Sequence, residues 1–287
     1  MHIPVLILEV INGLNLSAKD WVIDCTFGDG GHTQELLNQV GEQGQVLAID
    51  TDIKNIVAGK QKFENKNLIL VNDNFVHLKE VAEKNNFKSV QGILLDLGWS
   101  TTQFEESGRG FSFLRDEPLD MRLGKQELTA AEILNQASEK ELGRIFREYG
   151  EDRHWKKISQ AIVVYRVKHP LQTSGQLANL IQTVLGGRHG KLHPATKVFQ
   201  ALRIAVNEEL EILKQTLPQT LEVLAPTGRL AVITFHSLED RIVKHFFQKE
   251  SGKTIKIINK KPIVASAEEL KNNPRSRSAK LRIVEKI

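Results

Sequence analysis

The sequence predicts an α/β protein: a doubly wound sheet with a helical domain inserted after its fourth strand. Three observations carry this. Over the first hundred residues short apolar runs alternate with helical stretches, and each run ends in turn chemistry or an acid. The first run, Trp21–Asp24, breaks into a turn with three glycines, Gly28, Gly30 and Gly31, within four residues, and then a helical pattern starts. The strand signal stops between about Ser100 and Pro194 and resumes near residue 229.

The elements follow in order. Candidate strands are Trp21–Asp24, Gln45–Asp50, Leu68–Asn72 and 92–96, with helices between them, which implies right-handed βαβ crossovers. Residues 127–135, 139–149, 154–166 and Ser174–Leu185 read as helices of the insertion, with His169-Pro170 as a break and 186–190 as a flexible link. One long amphipathic helix is expected next, because Phe199, Leu202, Val206, Leu210, Leu213 and Leu217 recur every three or four residues. A fifth strand at 229–235 follows the Pro226-Thr227-Gly228 turn, and 255–258 and 280–285 are late strands. The expected division is 1–103 and 195–287 for the α/β domain and 104–194 for the insertion.

With 287 residues, 40% of them apolar and 26% charged, the chain has material for a sizeable core. A single cysteine excludes a disulfide framework and a Cys-rich zinc site. No basic start with a long apolar stretch reads as a leader, and no apolar run approaches a membrane span, so a cytoplasmic protein without a membrane partner is expected. The net charge of +4 is unevenly spread. Between Arg144 and Arg203 eleven Lys and Arg face three acids, a local +8, which leaves −4 for the remainder. Such a region suits a polyanion partner; the plainer alternative is a solvated helical face.

The glycine turn suits an adenosine-type cofactor, since glycines let the backbone approach a ligand and a helix N-terminus offers unpaired N–H groups. Thr33 stands where the Gly-x-Gly-x-x-Gly pattern of dinucleotide sites needs a third glycine. Asp24, Asp50, Asp73 and Asp96 each end one of the four strands, at the sheet edge where ligands bind in such folds. S-adenosylmethionine fits this set: Asp50 suits its ribose diol, and no pyrophosphate demands the missing glycine. Phe75 is either a ring for the adenine or core filling. Asp96, with the loop 97–103 after it, suits methylation of an exocyclic amine, whose delocalised lone pair needs acceptors to draw on its protons. The only cysteine, Cys25, reads as core filling, which disfavours covalent chemistry at a cytosine C5.

Five motifs in chain order resemble one family. They are Asp24-x-Thr26-x-Gly28-x-Gly30-Gly31-His32, Asp96-Leu97-Gly98-x-Ser100-x-x-Gln103, Arg109-Gly110-Phe111-Ser112-Phe113 with 118–122, the stretch from His193 to Arg203, and 235–241. Together they are similar to the bacterial small-subunit rRNA cytosine-N4 methyltransferases over nearly the whole chain. The resemblance implies a class I, Rossmann-like methyltransferase fold, S-adenosylmethionine as donor, and N4-methylation of a decoding-centre cytidine in 16S rRNA. It carries cofactor contacts onto Gly30, Gly31, His32, Asp50, Phe75, Asp96 and Gln103. Trp99 and Thr101-Thr102 depart from the usual small residues of the family's loop.

Asp96 and Asn207 are the candidate catalytic residues. Gln200, Arg203 and Asn207 share a helical face that either lines a cleft or is solvated. Arg109, Arg203, Arg275 and Arg277 are candidate RNA contacts, and Asp120 with Arg122 either orders a loop or forms a buried ion pair. The target base must leave its stack, and Trp99, Phe111 and Phe113 are candidates to receive it, or else hinge packing. Ser237 reads as the N-cap of a late helix, with His236 and Glu239 as structural residues. No metal is expected, and the partner is 16S rRNA or the small ribosomal subunit, with monomer and homodimer both open. The alternatives are an adenine-N6 RNA methyltransferase, a non-catalytic RNA-binding factor with a cofactor pocket, and a nicotinamide-dependent oxidoreductase.

Overall fold

A computed structural model describes residues 3–98, 108–124, 126–187 and 193–287. It has two compact units, Met1–Ser100 with Leu210–Ile287, and Thr101–Glu209. The strands are β1 (Trp21–Asp24), β2 (Gln45–Asp50), β3 (Leu68–Asn72), β4 (Val90–Asp96), β5 (Leu224–Thr234), β6 (Ile255–Ile257) and β7 (Lys280–Lys286). Among the described residues the helices before the insertion are α1 (Ile7–Leu14), α2 (Gly31–Val40), α3 (Ile53–Lys62) and α4 (Leu78–Lys84). Next come α5 (Ala130–Gln136), α6 (Glu139–Glu148), α7 (Trp155–Arg166), α8 (Ser174–Leu185) and α9 (Thr196–Asn207). The last are α10 (Glu209–Val223), α11 (Ser237–Glu250) and α12 (Ala267–Asn272).

In the first unit the strands form one seven-stranded sheet in the order β3-β2-β1-β4-β5-β7-β6. Strands β1 to β5 run parallel, and β7 is antiparallel to both β5 and β6. The chain reverses its direction of growth between β1 and β4, so a crevice is expected outside their carboxyl ends. The two-residue period of the strands explains why they read as unbroken apolar runs. Val22, Val46, Ala48, Leu94 and Ile233 face one way, into a core with Val10, Leu14, Leu36 and Ile56 of α1 to α3. Their neighbours Ile23, Leu47, Ile49, Ile93 and Val232 face the other way, onto Val81, Leu217 and Phe247 of α4, α10 and α11. Both faces are covered, as the doubly wound reading requires.

Three features differ from the sequence reading. The long helix expected through Phe199 and Leu217 is two helices, because Glu208 adopts a left-handed conformation (φ 51°) and caps α9. Helix α9 groups with the helical unit, whose boundary falls after Glu209 rather than at 194; its apolar side packs on α5 and α6. Strand β5 begins at Leu224, not at residue 229. Its register to β4 jumps from Val90↔Leu224 to Gly92↔Arg229, so the Pro226-Thr227-Gly228 turn is looped out of a continuing strand.

Within the helical unit the expected helices are present, with α6 and α8 starting where expected and α5 starting at Ala130 rather than at 127. Thr129 and Thr173 form capping boxes with Glu132 and Gln176, and Ser138 caps α6. No helix among the described residues is long and apolar enough to cross a membrane.

Candidate active site

The turn after β1 is built from backbone that favours glycine. Gly28 and Gly30 hold φ of 54° and 76°. A Cβ on Gly30 would lie 2.7 Å from the Phe63 ring and 2.9 Å from that of Phe27, and one on Gly31 would run into the Pro4 ring. Phe27 and Phe63 meet edge-to-face at 5.8 Å beneath the turn. The turn is tied to the sheet by carboxylates. Buried Asp24 accepts from the Thr33 hydroxyl at 2.6 Å and the Thr26 N–H at 3.1 Å. This gives Thr33 a role a third glycine could not fill. Burial pushes the Asp24 carboxyl up, against those hydrogen bonds.

Asp50, at the end of β2, accepts from the Asp52 N–H (2.7 Å) on Oδ1, and from the Gly28 N–H (2.8 Å) and the Asn55 amide (3.0 Å) on Oδ2. Burial raises its carboxyl to about 6 in spite of these donors. A carboxylate offers about four acceptor sites, so three are spent and one is left for a ligand hydroxyl.

Asp96 closes β4. Its N–H donates to the Thr26 hydroxyl (2.8 Å), its Oδ1 accepts from the Gly98 N–H (3.0 Å), and its Oδ2 lies 3.5 Å from His32 Nδ1. His32, the second residue of α2, is buried; its Nε2 lies 3.0 Å from the Val5 carbonyl. A carbonyl only accepts, so Nε2 carries the proton and Nδ1 is the atom that meets Asp96.

Some of these groups line an open, solvent-connected pocket at the carboxyl edge of β1 and β4. Gly28, Gly31, His32 and Asp96 meet there, together with Arg275. Asp50, Gly30 and Phe75 are not in its lining; Phe75 packs on the core beside α4. Gln103, Trp99 and Thr101-Thr102 lie outside the described residues. Pro4, Val5 and Phe235 also line the pocket, and the reading of the sequence missed them as site residues. Phe235 had a positional signal, since it opens the last of the five motifs; Pro4 and Val5 lie ahead of the first and had none.

The other candidates lie in the helical unit or on the C-terminal turn. Asn207 is buried, and its amide is spent on backbone, donating to Met121 O (2.8 Å) and Arg203 O (2.9 Å) and accepting from Leu123 N–H (3.0 Å). It thereby holds Met121, a buried residue with φ of 58°. Gln200 donates to Tyr149 O, and Arg203 pairs with Glu209 at 2.9 Å. Arg109 donates to Arg122 O at 2.9 Å and lies over the Phe111 ring. Arg122 grips Asp120 through Nε and Nη2 at 2.8 and 2.9 Å, and keeps the carboxyl below the usual carboxylate range. That pair is partly exposed, so it orders a loop rather than forming a buried ion pair. Phe113 stacks on His193 at 4.4 Å and meets Phe199 edge-on, and Phe111 is buried. Arg275 and Arg277 stand exposed on the turn Pro274–Ser278. The late helix is capped by His236, not Ser237: Glu239 N–H donates to its ring, and Glu239 accepts from the His236 N–H.

With this geometry in hand, comparison with known proteins is informative. A protein from Dehalococcoides mccartyi named ribosomal RNA small subunit methyltransferase H is 43% identical, over 100% of this chain and 86% of its own length. A protein of the same name from Clostridium botulinum is 41% identical, over 100% of this chain and 99% of its own. The solved rRNA methylase from Streptococcus thermophilus aligns over 98% of this chain and 92% of that one, with 11% identity and a TM-score of 0.45. The model of the MraW methylase family matches residues 1–287, and the chain belongs to that family.

Proposed function

We propose that this methylase transfers a methyl group from S-adenosylmethionine to the exocyclic N4 amine of a cytidine in the decoding centre of 16S rRNA. One observation carries the reading: the Asp96 carboxylate and the Gly28–His32 turn line the same pocket, so an amine acceptor and a cofactor cradle share one space. The substrate class, small-subunit ribosomal RNA, follows from whole-chain identity above 40% to proteins named for that activity.

The residues fit the cofactor. Helix α2 opens at Gly31 on the pocket, and the first N–H groups of a helix lack partners within it; Asp50 retains one acceptor site for a ribose hydroxyl, and the pocket beside His32 is open. When bound, S-adenosylmethionine supplies an electrophilic methyl group on a positively charged sulfur. This chain's part is to place the amine and manage its proton. Asp96 Oδ1 accepts from the Gly98 N–H, and Oδ2, 3.5 Å from His32 Nδ1, is the oxygen assigned to the incoming amine. An N4–H donated to Oδ2 would draw electron density onto the nitrogen that is to take the methyl group, and would hold that nitrogen in place for it. The proton then shed by N4 passes to Asp96 or, through it, towards His32 Nδ1. Arg109, the Asp120–Arg122 pair and Asn207 act on the loop 109–123, with Asn207 as a positioning residue.

The test is Asp96→Ala against the wild type, with methyl-labelled cofactor and small-subunit RNA. The expected outcome is loss of transfer by roughly 10²-fold or more with RNA binding kept. Wild-type rates in the variant would remove Asp96 from the chemistry.

A further inference from the structure

The helical unit carries a stretch with no acidic residue at all: none lies between Asp152 and Glu208, against nine Lys and Arg. The structure sorts those cations. Arg166 is spent on the Leu134 and Ala137 carbonyls, both at 2.7 Å, at the end of α5. Lys197 donates to Glu151 O, and Arg203 pairs with Glu209. Arg188 and Lys191 lie outside the described residues. Four remain, Arg153, Lys156, Lys157 and Lys168, and all four are exposed.

These four belong to one surface. Helix α7 buries Ile158, Ser159 and Ile162 against α5, α6 and α8. At 100° per residue, Lys156, Lys157, Gln160, Val164, Val167 and Lys168 fall within about a third of a turn on the opposite side. Arg153 stands just before the helix, on the approach to this ridge. From Lys156 to Lys168 it runs roughly 18 Å, several phosphate spacings of a nucleic-acid strand. Val164 and Val167 are 75% and 79% exposed among these cations, a degree of exposure that packing within the unit does not explain.

We infer that the outer ridge of α7, formed by Arg153, Lys156, Lys157 and Lys168, is a docking surface for the RNA backbone, with Val164 and Val167 against ribose. This deepens the proposed function and rests on its substrate class. Charge complementarity selects the occupant: a ridge within an acid-free stretch of chain, with exposed cations at both ends, suits a polyphosphate strand, and the lysines read shape rather than sequence. Arg109 and Arg203, two of the arginines singled out by sequence, lie in the same unit but are engaged in contacts of their own.

The experiment measures binding of deproteinised small-subunit rRNA, and of intact small subunits, across a series of salt concentrations. It compares the wild type with the triple variant Lys156→Ala/Lys157→Ala/Lys168→Ala. The expected result is a log–log salt slope shallower by about 2 to 3 and an affinity lower by roughly tenfold or more, with cofactor affinity and Tm unchanged. Val164→Asp, an acid placed on the ridge at an exposed position, weakens binding in the same direction. A triple variant with wild-type slope and affinity overturns the inference. So does loss of subunit binding in Val164→Ser/Val167→Ser with the lysine variant unaffected, which would mark a protein partner. Methyl transfer scored in the same samples keeps the two readings apart. RNA bound through the lysines without N4-methylcytidine leaves this surface standing and removes the proposed reaction.

Discussion

Asp50 shows how the fold holds a side chain that is proposed to meet the cofactor's ribose. Three donors hold it in place, and burial still pushes its carboxyl up to about 6. A ribose hydroxyl needs the ionised form as acceptor. Cofactor affinity is therefore expected to be level above about pH 6 and to fall up to tenfold per pH unit below it. Titration calorimetry between pH 5 and 8 checks this, with Asp50→Asn weak and flat as the control. The glycines give a second prediction. Gly30→Ala must bear φ of 76° and overlap with Phe27 and Phe63, which costs at least about 2 kcal/mol and lowers both Tm and cofactor affinity. Both residues were legible in the sequence, because a turn of glycines between strand and helix, with an acid ending the next strand, has few other uses. Asn207 was not. A polar residue on an apolar helix reads the same whether it faces a ligand or, as here, the backbone of Met121 and Leu123.

At the scale of elements, helices and strands were legible wherever a single period ran between clear caps. Ser174–Leu185 matches the expected helix to the residue, and in the structure Thr173 and Gln176 close a capping box before it. The break between α9 and α10 was hidden because the apolar repeat runs on through Glu208, and a left-handed residue leaves no mark in hydropathy. That residue yields a prediction: Glu208→Gly removes the cost of a side chain at φ 51° and stabilises the protein by about 1 kcal/mol. Thermal unfolding should show Tm higher by about 2 °C, and an unchanged or lower Tm would count against the cap. The start of β5 was missed for a related reason. Pro226-Thr227-Gly228 reads as a terminator, but the ladder to β4 resumes beyond it.

On the scale of the molecule, the proposed function gives the cofactor to the sheet unit and the RNA backbone to the helical unit. The cofactor pocket lies wholly within the unit Met1–Ser100 with Leu210–Ile287, and the acid-free stretch lies wholly within Thr101–Glu209. RNA affinity should therefore fall steeply with salt while cofactor affinity barely moves, since counterion release accompanies only the former. Filter binding and calorimetry in matched buffers check this. Equal salt dependence of the two would contradict the division. The central claim, that Asp96 and the glycine turn together methylate the N4 amine of a cytidine, has a direct test. Small-subunit RNA lacking the modification is incubated with the chain and methyl-labelled S-adenosylmethionine, digested, and its nucleosides identified by mass spectrometry. The account predicts label in N4-methylcytidine at a single decoding-centre position, lost in Asp96→Ala. Label in N6-methyladenosine or at cytosine C5, or no label in RNA at all, would contradict it.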